Sequence, residues 1–250
     1  MSLLEVAQDF SREAQRARRL EDLACSLDAV TPELGFDFYA LVQHVDIRKS
    51  CNRHVVWLRT YPEAWAEVFE RDGLYANDPI HLASQKTNIG FAWSDVDRLI
   101  TLSAHHKRVI SAAAREGIGE GYTVPAHLPG ESNGTCSFAM KVGRRAPTDS
   151  FMAAQIVGAF AMEAGRRLAR KARGDLGAGV PKLTGRQLDC VVLIARGKTD
   201  WEIAQILGIK ETTVLDYVRL ACERYGVRRR VQLVIRAIHD GQITLHDAIG

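Results

Sequence analysis

No apolar stretch in this chain reaches the roughly 18–20 residues that a membrane-spanning helix needs. Cysteine is sparse. The five residues are Cys25, Cys51, Cys136, Cys190 and Cys222, an odd number with no C-x-x-C pair. Neither a disulfide framework nor a zinc site is suggested. Cys136, Cys190 and Cys222 sit in apolar surroundings and read as core thiols, a usage that fits a reducing cytoplasm. Neither sign of charge dominates, and a formal net charge of +3 is too small to imply a nucleic-acid partner by itself. Residues 1–20 carry Glu, Asp and Arg throughout, unlike a signal peptide. No internal repeat or low-complexity tract occurs. An enzyme would have to draw on Cys136 or Ser137 as nucleophile and His81, His105, His106 or His127 as base. No nucleophile elbow between a strand and a helix supports one. Neither catalysis, a cofactor nor a bound metal is expected.

What remains is ordinary globular material, with 46% hydrophobic and 25% charged residues. Residues 3–30 read as one or two amphipathic helices with Leu4, Ala7, Phe10, Leu20, Leu23 and Leu27 inward. Gly35 ends that segment. Phe36–Val45 and His54–Leu58 read as strands. Pro62 opens a helix at its first turn, where the missing N–H costs nothing, and Gly73 stops it. Trp65 and Phe69, four residues apart, point the same way on that helix. Asp78-Pro79 is a second helix start. Leu102–Glu116 reads as a helix. Tyr122–Leu128 and Thr135–Val142 read as strands joined by the turn-rich residues 129–134. A long helix follows over Asp149–Arg173. Its basic cluster, Arg166, Arg167, Arg170, Lys171 and Arg173, reads as a solvated face.

Gly174–Pro181 holds three glycines and a proline in eight residues and cannot continue the helix. The expected organisation is a first domain over residues 1–173, a linker over 174–182 and a second domain over 183–250. The fold class is α+β. An α-β-α layered domain with an antiparallel sheet precedes an all-α four-helix domain.

The second domain is organised around residues 183–227. Asp200–Leu207 turns Ile203, Ala204 and Leu207 to one face. Gly208 makes a tight turn, and Glu211–Tyr225 turns Val214, Val218 and Ala221 inward. Thr212 and Thr213 stand where a hydroxyl can cap free N–H groups. A final helix spans about Val231–Asp240. Helix, tight turn and helix is the geometry that lays a helix in the DNA major groove. Arg219 suits base edges and Leu215 a thymine methyl. Asp216 and Arg224 are further exposed positions. Lys198, Thr199, Thr212 and Thr213 suit phosphates.

The strings L-T-x-R from Leu183, G-K-T from Gly197, E-I-A-x-I-L from Glu202 and T-V at Thr213 resemble the DNA-binding domain of LuxR-type transcription regulators. Three positions depart from that pattern. Gln187 stands where the family has Glu, Val191 where it has Leu, and Tyr217 where it has His. The first domain is similar to the autoinducer-binding domain of the same family. It shows Tyr61-Pro62 with Trp65, Asp78-Pro79, Trp93, and Gly121 with Pro125.

The resemblance implies a quorum-sensing regulator that binds an N-acyl-homoserine lactone as effector. It also implies a homodimer on double-stranded, palindromic DNA that works with RNA polymerase and with no membrane. Trp65 N–H would donate to the lactone carbonyl and Tyr61 to the acyl carbonyl. Asp78 would accept from the ligand amide. Ser137 or Thr135 would add a hydroxyl, and Trp93 would wall the lactone end. Phe69 replaces a family Tyr. This leaves open a regulator of the same build that answers to a non-lactone molecule or to none.

Overall fold

The computed structural model describes residues 1–44, 57–71, 74–128, 133–173 and 181–249. The expected strand residues His54–Val56, the stop at Gly73, most of the 129–134 turn and the Gly174–Val180 stretch lie outside the described residues. The chain divides into two compact units, the first over Met1–His127 and Ser132–Leu176 and the second over Leu128–Glu131 and Gly177–Gly250.

The first unit opens with α1 (Leu3–Arg16) and α2 (Leu20–Glu33), then β1 (Phe38–Gln43) and β2 (Trp57–Arg59). Next come α3 (Glu63–Arg71), α4 (Pro79–Ser84), the two-residue β3 (Phe91–Ala92), α5 (Val96–Leu99) and α6 (Ala104–Arg115). Strands β4 (Ile118–Ala126) and β5 (Gly134–Lys141) precede the long α7 (Phe151–Arg173). Helix starts follow local chemistry. Ser2 and Glu5 form a reciprocal cap on α1, and Ser103 caps α6. The sheet is wholly antiparallel, in the order β2-β1-β5-β4-β3.

Strand residues alternate between two faces, and here the faces differ. One packs on α1, α2 and α7. It carries Tyr39, Leu41, Tyr122, Val124, Cys136, Phe138 and Met140, all inside one apolar core with Leu23, Leu27 and Leu34. Each large side chain buried there contributes about 1.5–3 kcal/mol. The ring of Phe138 lies 5.5 Å from that of Phe36. The other face carries Ala40, Gly121, Thr123, Thr135, Ser137 and Ala139. Register sets Ala40 and Thr123 on either side of Ser137, and Gly121 beside Ala139. Helices α4 and α6 pack toward this face through β4.

Two sequence expectations are corrected here. Leu4 is 55% exposed, and Val6, Ala7 and Phe10 carry the buried face of α1. The basic cluster of α7 is not a solvated face throughout: Lys171 is exposed, but Arg166, Arg167 and Arg170 are buried or half-buried. Arg166 is 6% exposed. The Arg167 guanidinium donates to the carbonyls of Ala14 at 3.0 Å, Gln15 at 3.3 Å and Ala17 at 3.1 Å. It satisfies backbone groups that the end of α1 leaves open.

The second unit holds α8 (Gly185–Ala195), α9 (Asp200–Leu207), α10 (Glu211–Tyr225), α11 (Arg230–His239) and a short α12 (Leu245–Ile249). The sequence departures fit without strain. Gln187 is buried and completes a reciprocal cap with Thr184, its Oε1 accepting from Thr184 N–H at 3.0 Å. Val191 is fully buried in the core with Ala221, Leu233 and Ala237. Tyr217 packs against a second core of Cys190, Ile203 and Val214. Thr199 and Glu202 cap α9, and Gly208 ends it at φ 65°, a left-handed conformation that favours glycine. Arg230 reaches both carboxylate oxygens of Asp200 at 2.6–2.7 Å, tying the start of α11 to the start of α9. The expected capping role of Thr212 and Thr213 is corrected. Lys210 occupies the cap position of α10, with no side-chain cap bond.

Candidate functional site: a cavity on one sheet face and a helix-turn-helix head

The sheet face of small and hydroxylated residues borders a cavity of about 1040 Å³. That is the upper end of the range of small-molecule sites. Tyr61, Trp65, Phe69, Asp78, Trp93, Thr135 and Ser137 all line it. They come from separate places. Tyr61 precedes α3, Trp65 and Phe69 lie on α3, Asp78 caps α4, Trp93 follows β3, and Thr135 and Ser137 share one face of β5.

The aromatics form one wall. The rings of Trp65 and Phe69 lie 5.4 Å apart, and both pack with Val109, Ile118, Ala139 and Trp93. The wall is held in place by a hydroxyl chain. Trp93 Nε1–H donates to Thr123 Oγ1 at 2.8 Å, and Thr123 Oγ1 lies 2.8 Å from Ser137 Oγ. Gly121 makes room for the indole, since a Cβ there would stand 2.7 Å from Trp93 Cε2. Sequence reading missed Thr123. Its partner is 30 residues away, and strand alternation about Ser137 was the one available signal.

Asp78 is both helix cap and cavity wall. Its Oδ1 accepts from Ile80 N–H at 2.9 Å. Burial raises its carboxyl to about 6 against the lowering effect of the Ile80 and His81 N–H groups. Burial, and then the Asp78 charge, push the Tyr61 phenol up, so it stays a protonated donor. The cavity thus offers a carboxylate acceptor, a phenol and an indole donor, and hydroxyls of either sense, set in apolar walls. That is a surface for an apolar molecule with a few polar atoms.

The letters G-x-S-x-G do occur, at Gly130-Glu131-Ser132-Asn133-Gly134. The run ends on Gly134, the first residue of strand β5, whereas an elbow joins a strand to a helix. Cys136 faces the packed core, where burial pushes its thiol up and away from reactivity.

In the second unit, α9, the Gly208 turn and α10 present the expected positions in different states. Thr212, Leu215, Asp216, Arg219 and Arg224 are exposed, and Thr213 is half-buried. Arg219 is held by Glu223 at 2.7 Å and Asp216 at 3.5 Å. Lys198 lies 3.4 Å from Glu202, and Thr199 is occupied with capping. Arg224 donates to the Lys182 carbonyl at 2.6 Å.

A unit with a cavity sized for a small molecule and a unit built as a helix-turn-helix define a ligand-responsive DNA-binding regulator. The autoinducer-binding domain family matches residues 19–168, and the family of bacterial regulatory proteins, luxR family, matches residues 181–237. The transcriptional activator AhyR of Aeromonas hydrophila is 27% identical over 248 residues, spanning 96% of this chain and 91% of AhyR. The quorum sensing-dependent regulator RpaR of Rhodopseudomonas palustris is 31% identical over 193 residues, 74% of each chain. The crystal structure of Escherichia coli SdiA shares the fold at a TM-score of 0.65 and 21% identity, over 96% of this chain and 98% of that one.

The chain belongs to the LuxR family. It is a transcription regulator with an autoinducer-binding domain and a helix-turn-helix DNA-binding domain, and its named relatives are regulators, not enzymes. Among the described residues no helix is long and apolar enough to cross a membrane.

Proposed function

We propose that the first domain, residues 1–173, binds an N-acyl-homoserine lactone, and that the second, residues 183–250, reads a palindromic promoter element as part of a homodimer. Residues 174–182 join them. The observation that carries this reading is the convergence of seven side chains from separate elements on one cavity. In it, Trp65 N–H donates to the lactone carbonyl and Tyr61 O–H to the acyl carbonyl. Asp78 accepts from the amide N–H, Ser137 and Thr135 add hydroxyls, and Trp93 with Phe69 walls the ring. Leaving such atoms buried and unpaired costs about 1–3 kcal/mol each. A site that pairs them therefore selects the headgroup, while tail length is read at about 0.8 kcal/mol per methylene.

On DNA, Arg219 exchanges its Glu223 and Asp216 partners for a guanine edge. Leu215 meets a thymine methyl, and Lys198, Thr199, Thr212, Thr213 and Arg224 border phosphates. Arg219→Ala is expected to lose discrimination at one base pair by about 1–3 kcal/mol. Binding titrations across single-base operator variants check this, and a uniform loss on all of them makes Arg219 a phosphate contact. Ligand binding shifts the population toward a competent dimer that meets RNA polymerase in the cytoplasm.

A second reading is favoured by SdiA, one of whose structures holds octanoyl-rac-glycerol. An acylated non-lactone would suit Phe69, which lacks a phenol. Expression with and without synthetic lactones, followed by mass spectrometry of the extracted protein, separates the readings. A stoichiometric lactone supports the first. Protein that folds and binds operator with no lactone retained in either culture sinks it.

A further inference from the structure

The cavity has a second polar station, away from the aromatic wall. Along β5 the residues of this face run Ala139, Ser137, Thr135, and the last two line the cavity. Ala139 belongs to the aromatic cluster of Trp65 and Trp93. Ser137 lies midway. Thr135, about 7 Å further on by strand geometry, bonds at 3.0 Å to His44 Nε2. The His44 ring lies 3.9 Å from that of His81 at an interplanar angle of 38°, and His81 Nε2 lies 3.1 Å from Gln85 Nε2. Thr135, His44, His81 and Gln85 all line the cavity.

This cluster is poorly matched to a saturated hydrocarbon. Burial, then the neighbouring His81 and His127, hold the His44 imidazole at about 3, and burial alone lowers His81. Both rings are therefore neutral near pH 7. An amide nitrogen donates only, so with Gln85 Nε2 turned toward it His81 Nε2 accepts, and the ring proton sits on Nδ1. That Nδ1 is buried and has no hydrogen-bond partner. A plain acyl chain laid here would cover four polar side chains and pair none of them. An oxygen on the chain would join the pair formed by the Thr135 hydroxyl and the His44 ring at the cavity wall, and as a hydroxyl it would both accept and donate.

We infer that the effector's acyl tail carries an oxygen, a hydroxyl or an equivalent acceptor, remote from its amide, and that His44 and His81 with Thr135 select for it. This rests on the lactone reading above and specifies the ligand class within it. His44 and His81 are specificity residues for the tail, and they leave the headgroup contacts untouched.

The test is calorimetric binding of N-octanoyl-homoserine lactone against a series of hydroxy-octanoyl lactones, with the hydroxyl at successive carbons of the outer half of the chain. In the full-length protein one hydroxylated isomer is expected to bind about tenfold tighter than the saturated lactone. In a His44→Leu/His81→Leu double variant that preference is expected to fall to near unity, with saturated binding kept or improved, which also shows that the variant folds. Should the double variant fail to fold, His81→Gln and His44→Asn singly are each expected to reduce the ratio. A wild-type preference for the saturated tail, equal binding of all tails, or a preference that survives the substitutions overturns the inference alone. Binding of no lactone in the series overturns the lactone reading and this inference with it.

Discussion

The two faces of the sheet are made by the same strands, residue by residue in alternation, yet they are different materials. On β5, Cys136, Phe138 and Met140 enter a core with α1, α2 and α7, while Thr135 and Ser137 border a hollow and Ala139 packs under its aromatic wall. On β4, Tyr122 and Val124 face the core, and Gly121 and Thr123 face the other way. The packed face spends its side-chain volume on stability. The hollow face keeps its side chains small, and its hydroxyls are joined into a chain that fixes Trp93. What differs is not secondary structure but which parity carries bulk. Small residues leave unfilled volume, and in the proposed reading that volume receives the ligand.

The widest gap between the faces is expected from a truncation on the packed side. Phe138→Ala should destabilise the protein by about 3–5 kcal/mol, seen as a lowered denaturation midpoint. A loss comparable to that of Ser137→Ala would erase the distinction. Next in size is a substitution that adds bulk to the hollow face. A Cβ on Gly121 would meet Trp93 and stand 2.6 Å from the Phe138 carbonyl oxygen. Gly121→Ala should cost about 1–3 kcal/mol through overpacking, and lactone binding should fall because the indole wall moves. Unchanged calorimetric affinity would free Trp93 from the site.

A smaller effect concerns protons. The Asp78 carboxyl is raised to about 6 in the folded unit, above its value of about 3.9 in an unfolded chain. The folded state therefore holds the proton more tightly. Asp78 contributes stability that is complete below about pH 4 and is lost as pH rises through about 6. Ligand affinity runs the other way, because the amide N–H needs the ionised acceptor. Lactone affinity should fall about tenfold between pH 7 and pH 5 as the carboxylate is neutralised. Asp78→Asn should bind about tenfold more weakly at pH 7 and lose the pH dependence. A flat profile in the wild type would take Asp78 out of ligand recognition. The smallest effect belongs to Ser137→Ala, expected to cost about 1 kcal/mol or less in stability while weakening the lactone severalfold.

The regular elements were legible because they rest on local chemistry. The Asp78-Pro79 start, the Ser103 cap just before α6 and the Gly208 turn are each written within a few residues. The β4–β5 pair was legible from alternation and its turn-rich connection. The two-residue β3 was not, since Phe91–Ala92 is strand only because β4 pairs with it. Arg167 was misread because its acceptors lie about 150 positions away, and a basic run on a helix looks the same in sequence whether water or a helix end receives it. The ligand residues were named from their motifs, but composition could not say that they meet. Thr123 and the His44–His81 pair carried no motif. Their significance is that strand register sets Thr123 behind Trp93 and Ser137, and that the end of β1 and a helix turn bring His44 and His81 to the same hollow.

The grip of Arg167 on the last carbonyls of α1 bears on how this protein should be handled at the bench. The helix that leaves the ligand domain is latched to the first helix of the chain, so the two ends of that domain form one mechanical joint. Trimming or unravelling residues 1–17 would strip a half-buried guanidinium of its acceptors Ala14, Gln15 and Ala17 and loosen the outgoing helix. A tag at the front is therefore not remote from the last helix of the ligand domain.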